Sequence, residues 1–182
     1  MFPTPDVQVL PLALRHVLVV CTGNICRSPM AELLLRASLP EGVSVASAGT
    51  WPSSGGRSCP PEVQLVMREL GLDLAAHLSR ALHPADIAAA DIILVMEPRH
   101  QQEVRCITDT AAGILPPLLL LGLFAERNSA HIADPYGGSL DAYRASRQHI
   151  QESVAGFVAA ALLRCGRGRN DERGRGDRQA TR

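Results

Sequence analysis

The sequence predicts a three-layer α/β fold: a four-stranded parallel sheet flanked by helices. Two observations carry this. Four short apolar runs, His16 to Val20, Val43 to Ala46, Asp91 to Met96 and Leu118 to Leu121, are separated by segments with helical spacing or helix-start residues. Strands that alternate with helices belong to parallel sheets, because a parallel crossover must carry the chain back across a sheet face. The 182 residues are also 46% apolar and 20% charged, enough to build one real core and too apolar for wholesale disorder.

Each element has its own reason. Residues 1–15 hold three prolines without a clean period and read as a short N-terminal extension. His16 to Val20 is the compact β-branched and Leu run of a buried strand. Ser28 and Pro29, as N-cap and first helical residue, predict a helix with Met30, Leu33, Leu34 and Leu35 on its apolar side, to about Ser38. Val43 to Ala46 alternates like a strand, and a Gly/Ser/Pro-rich loop runs from Gly49 to Pro60. Pro61 opens a helix with Val63, Val66, Met67 and Leu70 at helical spacing, stopped by Gly71. Short helices are expected at His83 to Ala90 and Pro98 to Ile107, either side of the strand Asp91 to Met96. After Leu118 to Leu121, a loop containing Asp134-Pro135-Tyr136-Gly137-Gly138 leads to a last helix, about Ser139 to Leu163. The domain therefore spans residues 16–163.

Charge and cysteines exclude several classes. The formal charge is zero, from 18 Arg and 18 acids, with no Lys, so neither Schiff-base chemistry nor a Walker lysine is available. The neutrality has two parts: residues 164–182 hold seven Arg and three acids, and residues 1–163 hold eleven Arg and fifteen acids. The tail, rich in Arg and Gly and without apolar period, reads as a disordered, solvated extension. No nucleic-acid binding is expected of the acidic domain. Five cysteines at irregular spacing, without C-x-x-C, read as cytosolic thiols, not as a disulfide framework or zinc site. The greasiest stretch, Ile114 to Phe124, is shorter than the ~20 residues of a membrane helix. A cytoplasmic protein without membrane attachment is expected.

Ligands bind outside the carboxyl ends of the strands in such sheets. There the sequence places Cys21-Thr22-Gly23-Asn24-Ile25-Cys26-Arg27-Ser28. A strand-to-helix loop offers successive backbone N–H groups and a helix N-terminus, which together form an anion nest. Gly23 can take positive φ, and Asn24 is the next best residue for it. Arg27 can hold two phosphoryl oxygens in a planar fork. The same positive surroundings favour the thiolate of Cys21, a nucleophile facing the bound anion.

The segment Cys21 to Glu32 resembles the phosphate-binding loop and first helix of the low-molecular-weight protein tyrosine phosphatases. Ser47-Ala48-Gly49-Thr50, His77-Leu78-Ser79-Arg80, Ile93-Leu94-Val95-Met96-Glu97 with His100, and Asp134-Pro135-Tyr136 also fall where that family has similar segments. The resemblance covers about residues 16–163 and implies a flavodoxin-like fold. It implies Cys21 as nucleophile, with Thr22, Gly23, Asn24, Ile25, Cys26, Arg27 and Ser28 binding the phosphoryl group. Ser28 would stabilise the thiolate, and Asn24, Ser28, Ser47 and His77 would hold the loop. Asp134 would be general acid and then base. The chemistry asks independently for such a group, since the leaving group needs a proton. Cys26 would form a protective disulfide with Cys21 under oxidation, whereas Cys59, Cys106 and Cys165 carry no assigned role. No metal or cofactor is required, because Arg27 and the nest supply the charge stabilisation.

The predicted reaction is hydrolysis of protein phosphotyrosine through a cysteinyl-phosphate. Trp51 and Tyr136, on loops near the pocket, suit an aromatic ring, although many family members place the aromatic a few residues after the position of Trp51. Protein-arginine phosphatases are also similar, and give the alternative. They typically carry Thr where this chain has Ile25, which favours tyrosine, while the Gly137-Gly138 segment pulls toward arginine. Arsenate reductase, which needs resolving cysteines this chain lacks, and an inactive phosphate-binding adaptor are lesser readings. The expected partner is a phosphorylated protein, with a tyrosine kinase as one candidate, and the chain is expected to be a monomer or weak dimer.

Overall fold

The computed structural model describes residues 7–51, 55–109, 115–126 and 129–176. Residues 52–54 of the Gly/Ser/Pro loop, Ile114, and the ends 1–6 and 177–182 lie outside the described residues. Four strands, β1 (His16–Cys21), β2 (Ser44–Gly49), β3 (Ile92–Val95) and β4 (Leu118–Leu120), form one parallel sheet in the order β2-β1-β3-β4. Among the described residues five α-helices accompany them: α1 (Arg27–Ser38), α2 (Pro61–Arg68), α3 (Pro84–Ala89), α4 (Pro98–Asp109) and α5 (Leu140–Gly176). The predicted fold class holds.

Strand alternation divides the core. Val17, Val19, Cys21, Ile92 and Leu94 face one side and pack with α1, α2 and α5. Leu18, Val20, Ile93 and Val95 face the other, with Ile87 of α3 and Val104 of α4. Burial on both faces explains why these strands read as continuous apolar runs. On α5, a Cβ at Gly156 would overlap the carbonyl oxygen of Phe124. Glycine there lets α5 approach closely enough for Phe124 and Phe157 to meet edge-to-face, at a centroid distance of 5.3 Å.

Three expectations are corrected. Ser28 is not an N-cap: α1 begins at Arg27 after Cys26, and no side chain caps it. The Ser28 hydroxyl is taken by the site described below. β2 runs to Gly49 instead of Ala46, since it stays in register with β1 as far as the Cys21–Gly49 pair. Residues 164–176, expected to be disordered, continue α5 as helix. Composition misled here because a helix already nucleated on the core extends at one hydrogen bond per added residue, and Arg is a good helix former. The N-terminal extension is also partly packed: Leu10 is buried in the core, and Arg164 donates to the carbonyls of Leu10 (3.2 Å) and Gln8 (3.4 Å).

Candidate active site

β1, central in the sheet, delivers Cys21 at its carboxyl end, and α1 starts six residues later. The carbonyls of the intervening loop are held from outside. Thr50 N donates to Cys21 O (2.9 Å), Trp51 N to Thr22 O (3.0 Å) and His77 Nε2 to Asn24 O (2.9 Å). A loop whose carbonyls turn outward can present its N–H groups on the concave side.

Asn24 is the single non-glycine residue with positive φ (52°) among the described residues. Gly23, the sequence's first choice for that conformation, does not adopt it. Asn is among the few residues that visit this region, because its side chain can bond locally. Its amide is fully buried and used on every side. Nδ2 donates to Ser28 Oγ (2.9 Å) and Ser47 Oγ (2.8 Å), and Oδ1 accepts from Arg80 N (3.0 Å). The directions then follow. Ser47 Oγ passes its own proton to Glu32. Ser28 Oγ, already an acceptor, has its proton free for Cys21 Sγ, 3.0 Å away. An O–H aimed at sulfur donates a hydrogen bond to it and fixes its position at the base of the loop.

Arg27 is 1% exposed. Its NH1 donates to Glu97 Oε1 (2.7 Å) and Ile132 O (3.2 Å), and its NH2 to Asp134 Oδ2 (2.6 Å). The two carboxylates hold the guanidinium beside the loop, so the sequence-predicted Cys21, Arg27, Ser28 and Asp134 meet in one place. Trp51 and Tyr136 are each 59% exposed. Tyr136 N donates to Asp134 Oδ1 at 3.3 Å. Ile25 and Cys26, both in the loop, are buried.

Glu97, to which the sequence alone assigns no role, is central to the site. Besides Arg27 it accepts from Arg99 NH2 (2.9 Å), and His131 Nε2 lies 3.2 Å away. Burial opposes its charge, but hydrogen bonds from Arg99 and Arg27 win and hold the carboxyl at about 2. His100, fully buried beside it, is pushed down to about 3 by burial and then by the Arg27 charge, so it is neutral. Its Nε2 meets Thr22 Oγ1 at 3.0 Å. The signal available was position: Glu97 follows β3, the strand next to β1, at the same carboxyl edge. Glu32, bound to Ser47, and the Arg80 backbone were missed because their partners are distant in sequence. Burial, then the charge of Cys21, raises the thiol of Cys26, and the same two causes push Cys59 up to about 12. Cys59 thus lies close enough to Cys21 to feel its charge, which its isolated place in the sequence did not suggest. The described residues contain no cluster of three or more His, Cys, Asp or Glu able to hold a metal.

The arrangement defines a class: a strand–loop–helix oxyanion cradle with a buried thiol at its base and a carboxylate–guanidinium pair at its side. The family model for low molecular weight phosphotyrosine protein phosphatase matches residues 16–165. The chain is 41% identical over 145 residues to the probable low molecular weight protein-tyrosine-phosphatase EpsP of Ralstonia nicotianae, covering 80% of this chain and 94% of that one. It is 35% identical over 139 residues to a protein-arginine-phosphatase of Geobacillus stearothermophilus, covering 76% and 90%. The structure of Vibrio vulnificus Wzb in complex with benzylphosphonate superposes with a TM-score of 0.73 at 33% identity, covering 81% of this chain and 99% of that one. The chain belongs to the low molecular weight phosphotyrosine protein phosphatase family.

Proposed function

We propose that this enzyme hydrolyses phosphotyrosine in proteins with Cys21 as nucleophile. The observation that carries it is the directed relay Asn24 to Ser28 to Cys21, closing beside the Arg27–Asp134 pair. The Cys21 thiolate attacks phosphorus, and the P–O bond to the tyrosyl oxygen breaks. Asp134, protonated, gives its proton to that oxygen. Water then attacks the cysteinyl-phosphate, Asp134 takes a proton from it, and the thiolate leaves with the Ser28 proton hydrogen-bonded to sulfur. Residues 22–28 bind the phosphoryl oxygens, and Arg27 spans two of them. The incoming phosphate replaces Asp134 on Arg27 NH2, which frees the carboxyl to face the leaving group. Glu97 keeps NH1 in place meanwhile. Ser47 and His77 hold the loop through Asn24.

Ile25 supports phosphotyrosine over phosphoarginine, because it is an apolar, 7% exposed wall of the loop where the arginine-directed relatives typically carry Thr. The Gly137-Gly138 segment has a structural reason of its own. Gly137 sits at φ +75°, and a Cβ at Gly138 would stand 3.0 Å from Pro135 O. This is a tight turn into α5, so it carries little weight for the arginine reading. Trp51 and Tyr136 would flank the ring, and benzylphosphonate bound to the Vibrio relative is a ligand of that shape.

The catalytic unit would be residues 16–163, acting in the cytoplasm, where the five free cysteines can stay reduced. No described helix is long and apolar enough to cross a membrane. The substrate to try first is a tyrosine kinase carrying its own phosphates. Under peroxide, Cys21 sulfenic acid would condense with the Cys26 thiol, releasing water and forming a disulfide. The test compares phosphotyrosine and phosphoarginine peptides on purified enzyme, with Cys21→Ser and Ile25→Thr. Turnover by Cys21→Ser would overturn the mechanism. An unchanged preference in Ile25→Thr would remove the substrate argument.

A further inference from the structure

We propose that this enzyme selects phosphotyrosine with anionic neighbours, carboxylates or a second phosphate, and that Arg57 and Arg99 read them. The inference rests on the phosphotyrosine reading above. Arg99, the second residue of α4, is half exposed, yet its guanidinium is anchored. One nitrogen, NH2, donates to Thr22 Oγ1 and to Glu97 Oε1, each at 2.9 Å. It therefore stands beside the residue that follows the nucleophile. A cation already fixed at its post loses little further entropy when it meets an anion.

Arg57 sits on a different loop. Its backbone is pinned twice, by Arg57 N donating to Ser79 Oγ (3.1 Å) and Ser79 N donating to Arg57 O (2.9 Å). From there its exposed side chain reaches Tyr136 OH at 3.5 Å, on the pocket rim. The charges around the mouth balance, Arg27, Arg57 and Arg99 against Glu97, Asp134 and Glu103, so a flanking anion is read by where Arg57 and Arg99 stand and not by a net field. Glu97 carries one negative charge and serves Arg27, Arg99 and His131 together. Asp134 pairs with Arg27 before substrate arrives, and Glu103 adds one more carboxylate near Arg99. Rim charges of this kind set selectivity and encounter more than chemistry.

The experiment uses the full chain and three phosphotyrosine peptides, with Ala flanks, with Glu flanks, and with a second phosphotyrosine two residues away. The wild type should process an anionic peptide about 5-fold better in kcat/KM than the neutral one, through KM, and less so as salt rises. Preference for the Glu peptide or for the doubly phosphorylated one identifies the source of the anion. Arg57→Gln should leave the neutral peptide within about 2-fold and shrink the gap; Arg99→Gln should also shrink it. A wild type blind to the flanks overturns the proposal, as does a gap intact in both variants. Failure to cleave even the neutral peptide, with phosphoarginine cleaved, would instead sink the phosphotyrosine reading beneath it.

Discussion

The phosphate loop and the rim around it are neighbours in space, Trp51 N donating to Thr22 O, and are built by opposite rules. In the loop, Asn24, Arg27 and Ser28 are each at most 1% exposed and tied to fixed partners. On the rim, Trp51, Arg57 and Tyr136 are exposed, and Arg57 NH2 approaches Tyr136 OH at 3.5 Å. Buried polar groups held by several partners favour one geometry, because an alternative leaves further groups unsatisfied at a cost of about 1–3 kcal/mol each. Exposed side chains carry no such penalty. The loop therefore fixes the chemistry, and the rim can select substrates without endangering it.

The largest effect is expected at Arg27. Arg27→Lys keeps a positive charge but loses the fork that bonds Glu97, Ile132 O and Asp134 at once. A fall in kcat of about 10²–10³ is expected, the range found on removing one donor from a preorganised anion site. Steady-state kinetics on an aryl phosphate checks it. Near-normal kcat would mean that charge, not planar geometry, does the work.

Asn24 separates backbone strain from hydrogen bonding. Asn24→Gly accepts φ 52° but deletes the amide; Asn24→Ala deletes it and adds strain of about 1–2 kcal/mol. Both should lose at least ~10-fold in kcat, since Ser28 is no longer oriented, and Ala should be the less stable in urea unfolding. Equal stability of the two would show that the left-handed turn costs nothing here.

How far each region could be read from sequence follows the same division. The loop is local: eight consecutive residues between a strand and a helix, whose types state their own chemistry. Ser28 shows the limit even there, since Ser before Pro reads as a helix cap while its hydroxyl serves sulfur. The supports are not local. His77 and Ser47 are legible only through the family resemblance, and Glu97 shows no task in sequence, because its partners Arg27 and His131 lie 70 and 34 positions away. The sheet order that joins them is set by packing, which periodicity in one segment cannot show. The tail erred for the reverse reason, since its composition was read without the helix that precedes it.

A pH measurement sharpens the contrast next. His100 is held neutral inside, down to about 3, whereas an unfolded chain would protonate it near 6.5. The unfolded state binds more protons between these values, so stability should fall as pH drops from about 6.5 toward 3. Glu97 works in a lower window: its contribution is full above about 4.5 and fades as pH falls toward 2. Replacing His100 with Gln should flatten the upper part of the acid limb in urea unfolding and leave the lower part. An unchanged profile would place the neutral imidazole outside the stability of the loop.

The smallest effect belongs to the rim. Trp51→Ala and Tyr136→Ala remove exposed rings, so stability should stay within ~0.5 kcal/mol, the usual range for surface positions. KM for a phosphotyrosine peptide should rise a few-fold, because stacking on an aromatic contributes about 0.5–1.5 kcal/mol. The value for phosphoarginine peptides should barely move, as their reacting group hangs on a flexible alkyl stem. A large drop in kcat in either variant would join the rim to the chemistry. For Tyr136 that link would run through its backbone N–H, which holds Asp134 Oδ1 at 3.3 Å and which an Ala substitution leaves in place. The ring and the amide can thus be told apart at one position: loss of the ring alone should touch binding, and loss of turnover would mean the ring sets the posture of Asp134.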